Sequence, residues 1–181
     1  MQYQRIVRLK NNEECLIRNA KGSDAKAVYD NFNLTHSQTD FLLSYPDENR
    51  MDIEKEQEFL KEKEKSASEI QLCAELHGRI VGTAGIEAVG DKDKIRHRAE
   101  FGIGIEEECW GLGIGQALTE ACIECARQAG YSQLELAVVG ENARAVSLYQ
   151  NIGFIEYGYN PRGFCSRNSG WQGLILMRME L

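Results

Sequence analysis

The stretch Trp110-Gly-Leu-Gly-Ile-Gly-Gln-Ala-Leu118 decides the fold of this chain. Three glycines, Gly111, Gly113 and Gly115, alternate with Leu112 and Ile114 and then give way to a helical pattern. Ile114, Ala117, Leu118, Ala121, Cys122, Cys125 and Ala129 recur at three- and four-residue intervals, which makes one apolar helix face. Upstream, residues 99–105 read as a strand with Phe101, Ile103 and Ile105 alternating onto one side. The order is strand, short acidic link, glycine turn, helix. Glycines at a helix start let bare backbone N–H groups face outward, and the helix dipole adds partial positive charge there. Such a place suits an anion, above all a phosphate. The dinucleotide pattern G-x-G-x-x-G fails, because its third glycine would fall on Gln116 or Leu118. The phosphate-loop lysine pattern fails too, since no Gly-Lys-Ser/Thr follows.

The 181 residues suit one domain spanning 1–181, long enough to bury a substantial core. No run approaches the ~18 apolar residues of a membrane span. Residues 1–10 carry no apolar core of signal-peptide length, so a cytoplasmic location and no membrane partner are expected. A net charge of −7 argues against nucleic acid as the main partner, because backbone binding needs clustered cations. The acidity suits a cationic acceptor, and it serves solubility equally well. Of the six cysteines, Cys122 and Cys125 fall on an apolar helix face, and Cys15 and Cys73 fall in apolar strand patterns. There a reduced thiol is a small hydrophobe. Cys109 and Cys165 lie in loop-like sequence, and no metal site or disulfide is expected from any of them.

Around the glycine turn, the periodicity sets out seven strands and four helices. After a polar N-terminal arm, residues 14–20 read as the first strand, and Gly22-Ser23-Asp24 offers a helix cap before Ala27, Val28, Phe32 and Leu34. Residues 35–49 are loop-like, and 52–65 form a charged helix whose ion pairs need only a solvated face. Residues 69–76 and 79–89 make a hairpin around His77-Gly78, with a charged turn over 90–96. Beyond the glycine helix, Gly130 is a C-terminal stop, 133–139 an apolar strand and 143–151 a helix closed by Gly153. Strands over 154–159 and 174–181 flank a polar loop over 160–173. This order implies an α/β (α+β) three-layer architecture: a mixed, mostly antiparallel sheet of about six to seven strands flanked by about four helices.

A second signature lies at Asn142-Ala-Arg-Ala-Val-Ser-Leu-Tyr149-Gln-Asn-Ile-Gly153-Phe154. Asn142 and Tyr149 share one helix face two turns apart. Read from Trp110, the glycine stretch fits the pattern Arg/Gln-x-x-Gly-x-Gly/Ala at Gly113 and Gly115. Together and in this order, the two motifs resemble the pyrophosphate loop and the following asparagine–tyrosine helix of the GNAT superfamily of acyl-CoA-dependent N-acetyltransferases. The resemblance covers Glu14 to Leu181.

The resemblance implies acetyl-CoA as co-substrate, no metal, and an amine acceptor attacked directly in a ternary complex. By the same resemblance, Ile103, Gly104 and Ile105 would offer backbone groups to the pantetheine arm and the thioester carbonyl. Amides of Gly111, Leu112, Gly113, Ile114, Gly115 and Gln116 would cradle the pyrophosphate. Asn142 would hydrogen-bond pantetheine or order this part of the site, and Tyr149 would place its hydroxyl beside the thioester sulfur. Trp110 departs from the pattern, removing a side chain that contacts phosphate; Arg144 is the candidate to compensate, with a solvated helix-surface arginine as the alternative reading. Glu100, at the start of the strand, is the candidate base for the incoming ammonium, with a structural pairing to Arg96 or Arg98 as the alternative reading. His97 and Glu87 are further candidates. Residues 35–49 and 160–173, with Phe41, Tyr45, Tyr157, Tyr159 and Phe164, would face the acceptor. A small primary amine, an amino acid or an antibiotic-like amine is the expected acceptor. A protein N-terminus or lysine, and a non-catalytic acyl-CoA sensor, are the rival readings. Exposed sheet ends suit a homodimer.

Overall fold

The computed structural model describes Met1–Leu181 as one eight-stranded sheet with two pairs of helices against it. Its strands are β1 (Gln4–Arg8), β2 (Glu14–Asn19), β3 (Ile70–Leu76), β4 (Arg79–Ala88), β5 (Arg98–Ile105), β6 (Gln133–Val139), β7 (Ile155–Ser166) and β8 (Gly170–Glu180). The helices are α1 (Ala25–Gln38), α2 (Ile53–Lys65), α3 (Ile114–Gln128) and α4 (Ala143–Ile152). The strands lie in the order β1-β2-β3-β4-β5-β6-β8-β7, and only β5 and β6 run parallel. No helix is long and apolar enough to cross a membrane.

The apolar stripe on α3 does what its spacing predicts. Ile114, Leu118, Ala121, Cys122 and Cys125 are all buried, in one cluster with Leu72, Ile86, Phe101, Leu134 and Met177 of the sheet. Burial pushes the Cys122 thiol well above its ordinary range, so it stays neutral and inert. On the opposite face, Val28 and Leu60 join Ala20, Cys73 and Ile80 in a smaller cluster. The Asp52 carboxylate caps α2 by accepting the Lys55 N–H at 2.9 Å, as a residue of that type should.

Three features differ from the sequence reading. First, Gln4–Arg8 is a strand, antiparallel to β2, and this raises the count to eight. It is an outer edge whose inward face holds only Arg5, which bonds Glu124 of α3, and half-buried Val7. The apolar alternation is therefore broken, and Leu9 just beyond it is the anchor that enters the core. Second, residues 160–173 are not a loop but the paired arms of a long hairpin. Pro161 and Gly163 read as loop punctuation, yet β7 is an edge strand, where a proline costs no ladder bond. The register slips between Asn160 and Phe164 to accommodate it. Third, the charges of α2 are not all solvent-facing. Lys63 is buried and bonds Glu69 at 2.7 Å and Glu87 at 2.8 Å, which pins α2 to the β3–β4 hairpin.

The sheet opens where its direction changes. Parallel pairing of β5 with β6 runs from Arg98↔Gln133 to Glu100↔Glu135 and stops. Both strands continue, but Phe101–Ile105 has no partner across that gap, while Leu136–Val139 is held only by β8 on its far side. Backbone N–H and C=O groups of β5 are therefore left facing a cleft within the sheet, a place for an extended ligand rather than a buried defect.

Candidate functional site

A cavity of about 530 Å³ fills this cleft and runs out to the glycine turn. Ile103, Gly104 and Ile105 line it from β5; Trp110, Gly111, Gly113, Gly115 and Gln116 from the turn; and Asn142, Arg144, Leu148 and Tyr149 from α4. Of the residues expected to bind cofactor, Leu112 and Ile114 do not line it: Leu112 packs against the core and Ile114 is buried within it.

The turn is shaped by backbone that side chains disfavour. Gly111 and Gly113 have φ of +81° and +101°, the left-handed region that glycine enters without strain. Gly113 is the N-cap of α3, so the first amides of a fifteen-residue helix are aimed at the cavity end. Gly115 answers a different need. A Cβ there would lie 3.3 Å from Leu148 and 3.4 Å from Ile105, so its absence lets α3 start close against both α4 and β5.

Trp110 fills its place in a way the sequence left open. Its indole N–H donates to the Ile105 carbonyl at 2.8 Å, and the Arg144 guanidinium lies 5.0 Å from the ring centroid. Trp110 is thus a prop between the strand end and α4, and Arg144 is held beside the turn by a cation–π contact. Asn142 caps α4 by accepting the Ala145 N–H at 3.2 Å, which leaves its amide NH₂ to donate into the cavity. Cap and ligand contact are compatible roles here.

Tyr149 is 6% exposed and makes edge-on contacts with Phe101 and Phe154, at ring-centroid distances of 6.0 and 5.8 Å. Its hydroxyl has no protein hydrogen-bond partner, although the side chain lines the cavity. Burial pushes its pKa well above the ordinary phenol value, so it remains a neutral O–H.

Glu100 does not line the cavity; it is exposed at the last paired position of β5. It points to the other sheet face, the one shared with Gly102 and Gly104. Above Gly104, an added Cβ would meet Thr35 and Leu42 of the α1 end and the following segment. Its register partners are Glu87 on β4 and Glu135 on β6, a row of three carboxylates. Lys63 satisfies Glu87, and Arg98 forms a bidentate pair with Glu135. The Arg98 bond holds Glu135 below the usual carboxylate range despite partial burial. Arg96 faces Asp93. Both arginines that could have neutralised Glu100 are engaged elsewhere, and Glu100 forms no ion pair. His97 is exposed on the preceding turn, where its carbonyl accepts from Ser132.

The two segments expected to face the acceptor are joined by Asp40. Its carboxylate accepts hydrogen bonds from the Ser166 hydroxyl, the Ser169 hydroxyl at 3.0 Å, the Tyr45 hydroxyl at 3.1 Å and the Asn168 amide at 3.3 Å. Phe41 and Leu42, next along the chain, line the main cavity. Tyr157 donates to Glu135 at 3.4 Å, and Tyr159 is exposed beside Gly173. Asp40 carries no local signal in the sequence, because all its partners but Tyr45 lie 126 to 129 residues away.

The chain matches the family model described as the Acetyltransferase (GNAT) family over residues 30–154. It superposes on a GNAT acetyltransferase from Streptococcus pneumoniae with a TM-score of 0.88 at 32% identity, covering 92% of this chain and 99% of that one. It superposes on yncA of Salmonella typhimurium, solved with acetyl-CoA, with a TM-score of 0.80 at 21% identity, covering 92% and 94%. A mycothiol acetyltransferase from Saccharomonospora viridis is 31% identical over 114 residues, 61% of this chain and 37% of that protein. The chain spans under two fifths of the length of such curated relatives. With a family model covering most of its length and a close structural match along nearly all of it, the chain belongs to the GNAT acetyltransferase family.

Proposed function

We propose that this protein transfers an acetyl group from acetyl-CoA to a small primary amine by direct attack within a ternary complex. The observation that carries the reading is the cleft: it joins an unpaired strand edge, an anion-binding helix start and a partnerless tyrosine hydroxyl in one cavity. Acetyl-CoA, the ligand of the Salmonella neighbour, would lie with its pyrophosphate on the glycine turn and its pantetheine along β5.

The sheet then separates the two proton transfers. Tyr149 reaches the cleft from the α3–α4 side, and Glu100 stands on the α1 side. An acceptor ammonium loses its proton to Glu100, and the free amine forms a C–N bond to the thioester carbon. Negative charge moves onto the carbonyl oxygen, where an N–H from the unpaired β5 edge stabilises it. The oxyanion's electron pair then reforms the carbonyl as the C–S bond breaks, and the proton left on the new amide nitrogen departs to water. The thiolate takes a hydrogen bond from Tyr149, or its proton, which solvent then restores. The alternative acceptors, a protein N-terminus or lysine, would need the same cleft.

The reading is tested by thiol release from acetyl-CoA across amino acids, polyamines, aminoglycoside-type amines and short peptides. Turnover on a small amine supports it, and turnover on peptides alone moves the acceptor to a protein. Tight binding of acetyl-CoA without turnover on any amine would mean a sensing module, and absence of binding would overturn the reading altogether.

Asp40→Asn addresses the acceptor wall separately. Breaking the strap is expected to raise the acceptor KM about fivefold, with the acetyl-CoA KM little changed, since roughly 1 kcal/mol follows from loss of one charge-assisted bond. The Ser166 bond, against slight desolvation and with help from Ser169, Tyr45 and Asn168, holds the Asp40 carboxyl below its ordinary range. Because the folded value is depressed, the strap's contribution is present above the ordinary ~3.9 and is lost as pH falls below it. Limited proteolysis within residues 39–49 should therefore accelerate in wild type only below about pH 4, and at neutral pH in Asp40→Asn.

A further inference from the structure

The glycine turn has a second wall that no motif marks. The turn joining β1 to β2 is closed by the Asn12 N–H donating to the Leu9 carbonyl at 2.9 Å, with Asn12 at φ +69°. It is fastened to the glycine turn by the Lys10 N–H, which donates to the Leu112 carbonyl at 3.0 Å. Leu9 anchors it from below in the main core. Lys10 is thereby fixed at the backbone while its side chain lines the cavity, with Cγ 4.0 Å from where a Gly113 Cβ would stand.

The charges lining the cavity are mostly positive although the molecule is acidic. In a chain of net charge −7, the charged residues lining the cavity are Lys10, Arg144 and Glu141. Other cations around the molecule, such as Arg18, Lys63, Arg79, Arg98 and Arg167, are committed to carboxylates. Neither Lys10 nor Arg144 forms an ion pair. Arg144 comes from α4, on one side of the turn, and Lys10 from the β1–β2 turn on another, with the α3 amides between them. Two uncommitted cations flanking a helix start make a site for more than one anionic oxygen.

From this we infer that Lys10 is a phosphate-binding residue of the cofactor site. It supplies, from the N-terminal strand pair, the positive charge that Trp110 leaves out of the glycine turn. The inference rests on the reading of the cavity as an acetyl-CoA site. It assigns β1, a mostly exposed edge strand, a task in cofactor binding: carrying Lys10 to the turn.

The test compares wild type, Lys10→Met and Lys10→Arg on two thioesters, acetyl-CoA and acetyl-pantetheine, which lacks the pyrophosphate and nucleotide. Methionine keeps the unbranched stem over Gly113 and removes the charge. Lys10→Met is expected to raise the acetyl-CoA KM and Kd about tenfold, with the loss falling on KM rather than kcat, and Lys10→Arg should recover most of it. Added salt should narrow the gap between wild type and Lys10→Met, because the lost interaction is screened. On acetyl-pantetheine the variants and wild type should agree within about twofold. An equal loss on both thioesters would mean that Lys10 only supports the turn, and an unchanged KM for acetyl-CoA would mean that it touches no phosphate. Either result overturns the inference while leaving the cofactor reading intact. Wild type that fails to bind acetyl-CoA in a direct titration overturns both.

Discussion

Tyr149→Phe is expected to lower kcat by about two to three orders of magnitude while the acetyl-CoA Kd stays within about threefold. The substitution removes one oxygen. The ring keeps its edge contacts with Phe101 and Phe154, and the hydroxyl has no protein partner to lose. A buried hydroxyl without a partner contributes nothing to folding that phenylalanine would forfeit, so the thermal midpoint should hold or rise slightly. A kcat loss without a stability loss is what separates a donor in the reaction from a core aromatic. Burial raises the phenol well above its ordinary value, so full proton transfer to a thiolate near its free value of ~8.5 would be uphill. The same burial raises the basicity of a thiolate formed beside it, which narrows the gap, and a strong O–H···S bond suffices where transfer is incomplete. It follows that the activity of wild type should show no alkaline limb from Tyr149 below about pH 10. Equal activity of Tyr149→Phe and wild type would remove the tyrosine from the reaction.

The ease of reading this chain followed the range of the interactions. The glycine turn and α3 were legible because their signals are local: glycines where φ must be positive at Gly111 and Gly113, then a stripe at helical spacing. The Asn142–Tyr149 helix was legible for the same reason, since its cap and its inward tyrosine lie on one short segment. What stayed hidden was non-local. β1 shows no clear alternation because its inward face holds Arg5, bonded to Glu124, beside half-buried Val7, so Lys10 had no element to stand on. The β7–β8 arms were hidden by Pro161 and Gly163, which sit in an irregularity bracketed by the pairs Asn160↔Leu174 and Phe164↔Gln172 across the hairpin. The uncommitted state of Glu100 is the sharpest case. Arg96 and Arg98 stand four and two positions away, and sequence offers both as partners. Only the parallel register of β5 with β6 shows that Arg98 is drawn off by Glu135.

That same register sets the second large effect. Glu100→Gln is expected to lower kcat/KM at pH 7 by about one to two orders of magnitude, with acetyl-CoA binding intact. A carboxylate opposite two others should be an unfavourable place to put charge. The row persists because Lys63 neutralises Glu87 and Arg98 neutralises Glu135, while Glu100 alone has no cation. An acceptor ammonium arriving there would complete the pattern of cations. On this account the stability of Glu100→Gln should equal or exceed that of wild type, since a like-charge contact is relieved and no ion pair is broken. Glu87→Gln is the contrasting variant: it takes a partner from buried Lys63, so it should cost stability and spare catalysis. The decisive axis is pH. If Glu100 takes the ammonium proton, the variant's deficit should shrink as pH rises toward the acceptor's own value, ~10.4 for a lysine-like amine, because the amine then arrives already deprotonated. A deficit that is the same at pH 7 and pH 9.5 would make Glu100 an anchor for the acceptor cation rather than its base. An absent deficit would leave proton removal to water, with the carboxylate row serving only the sheet.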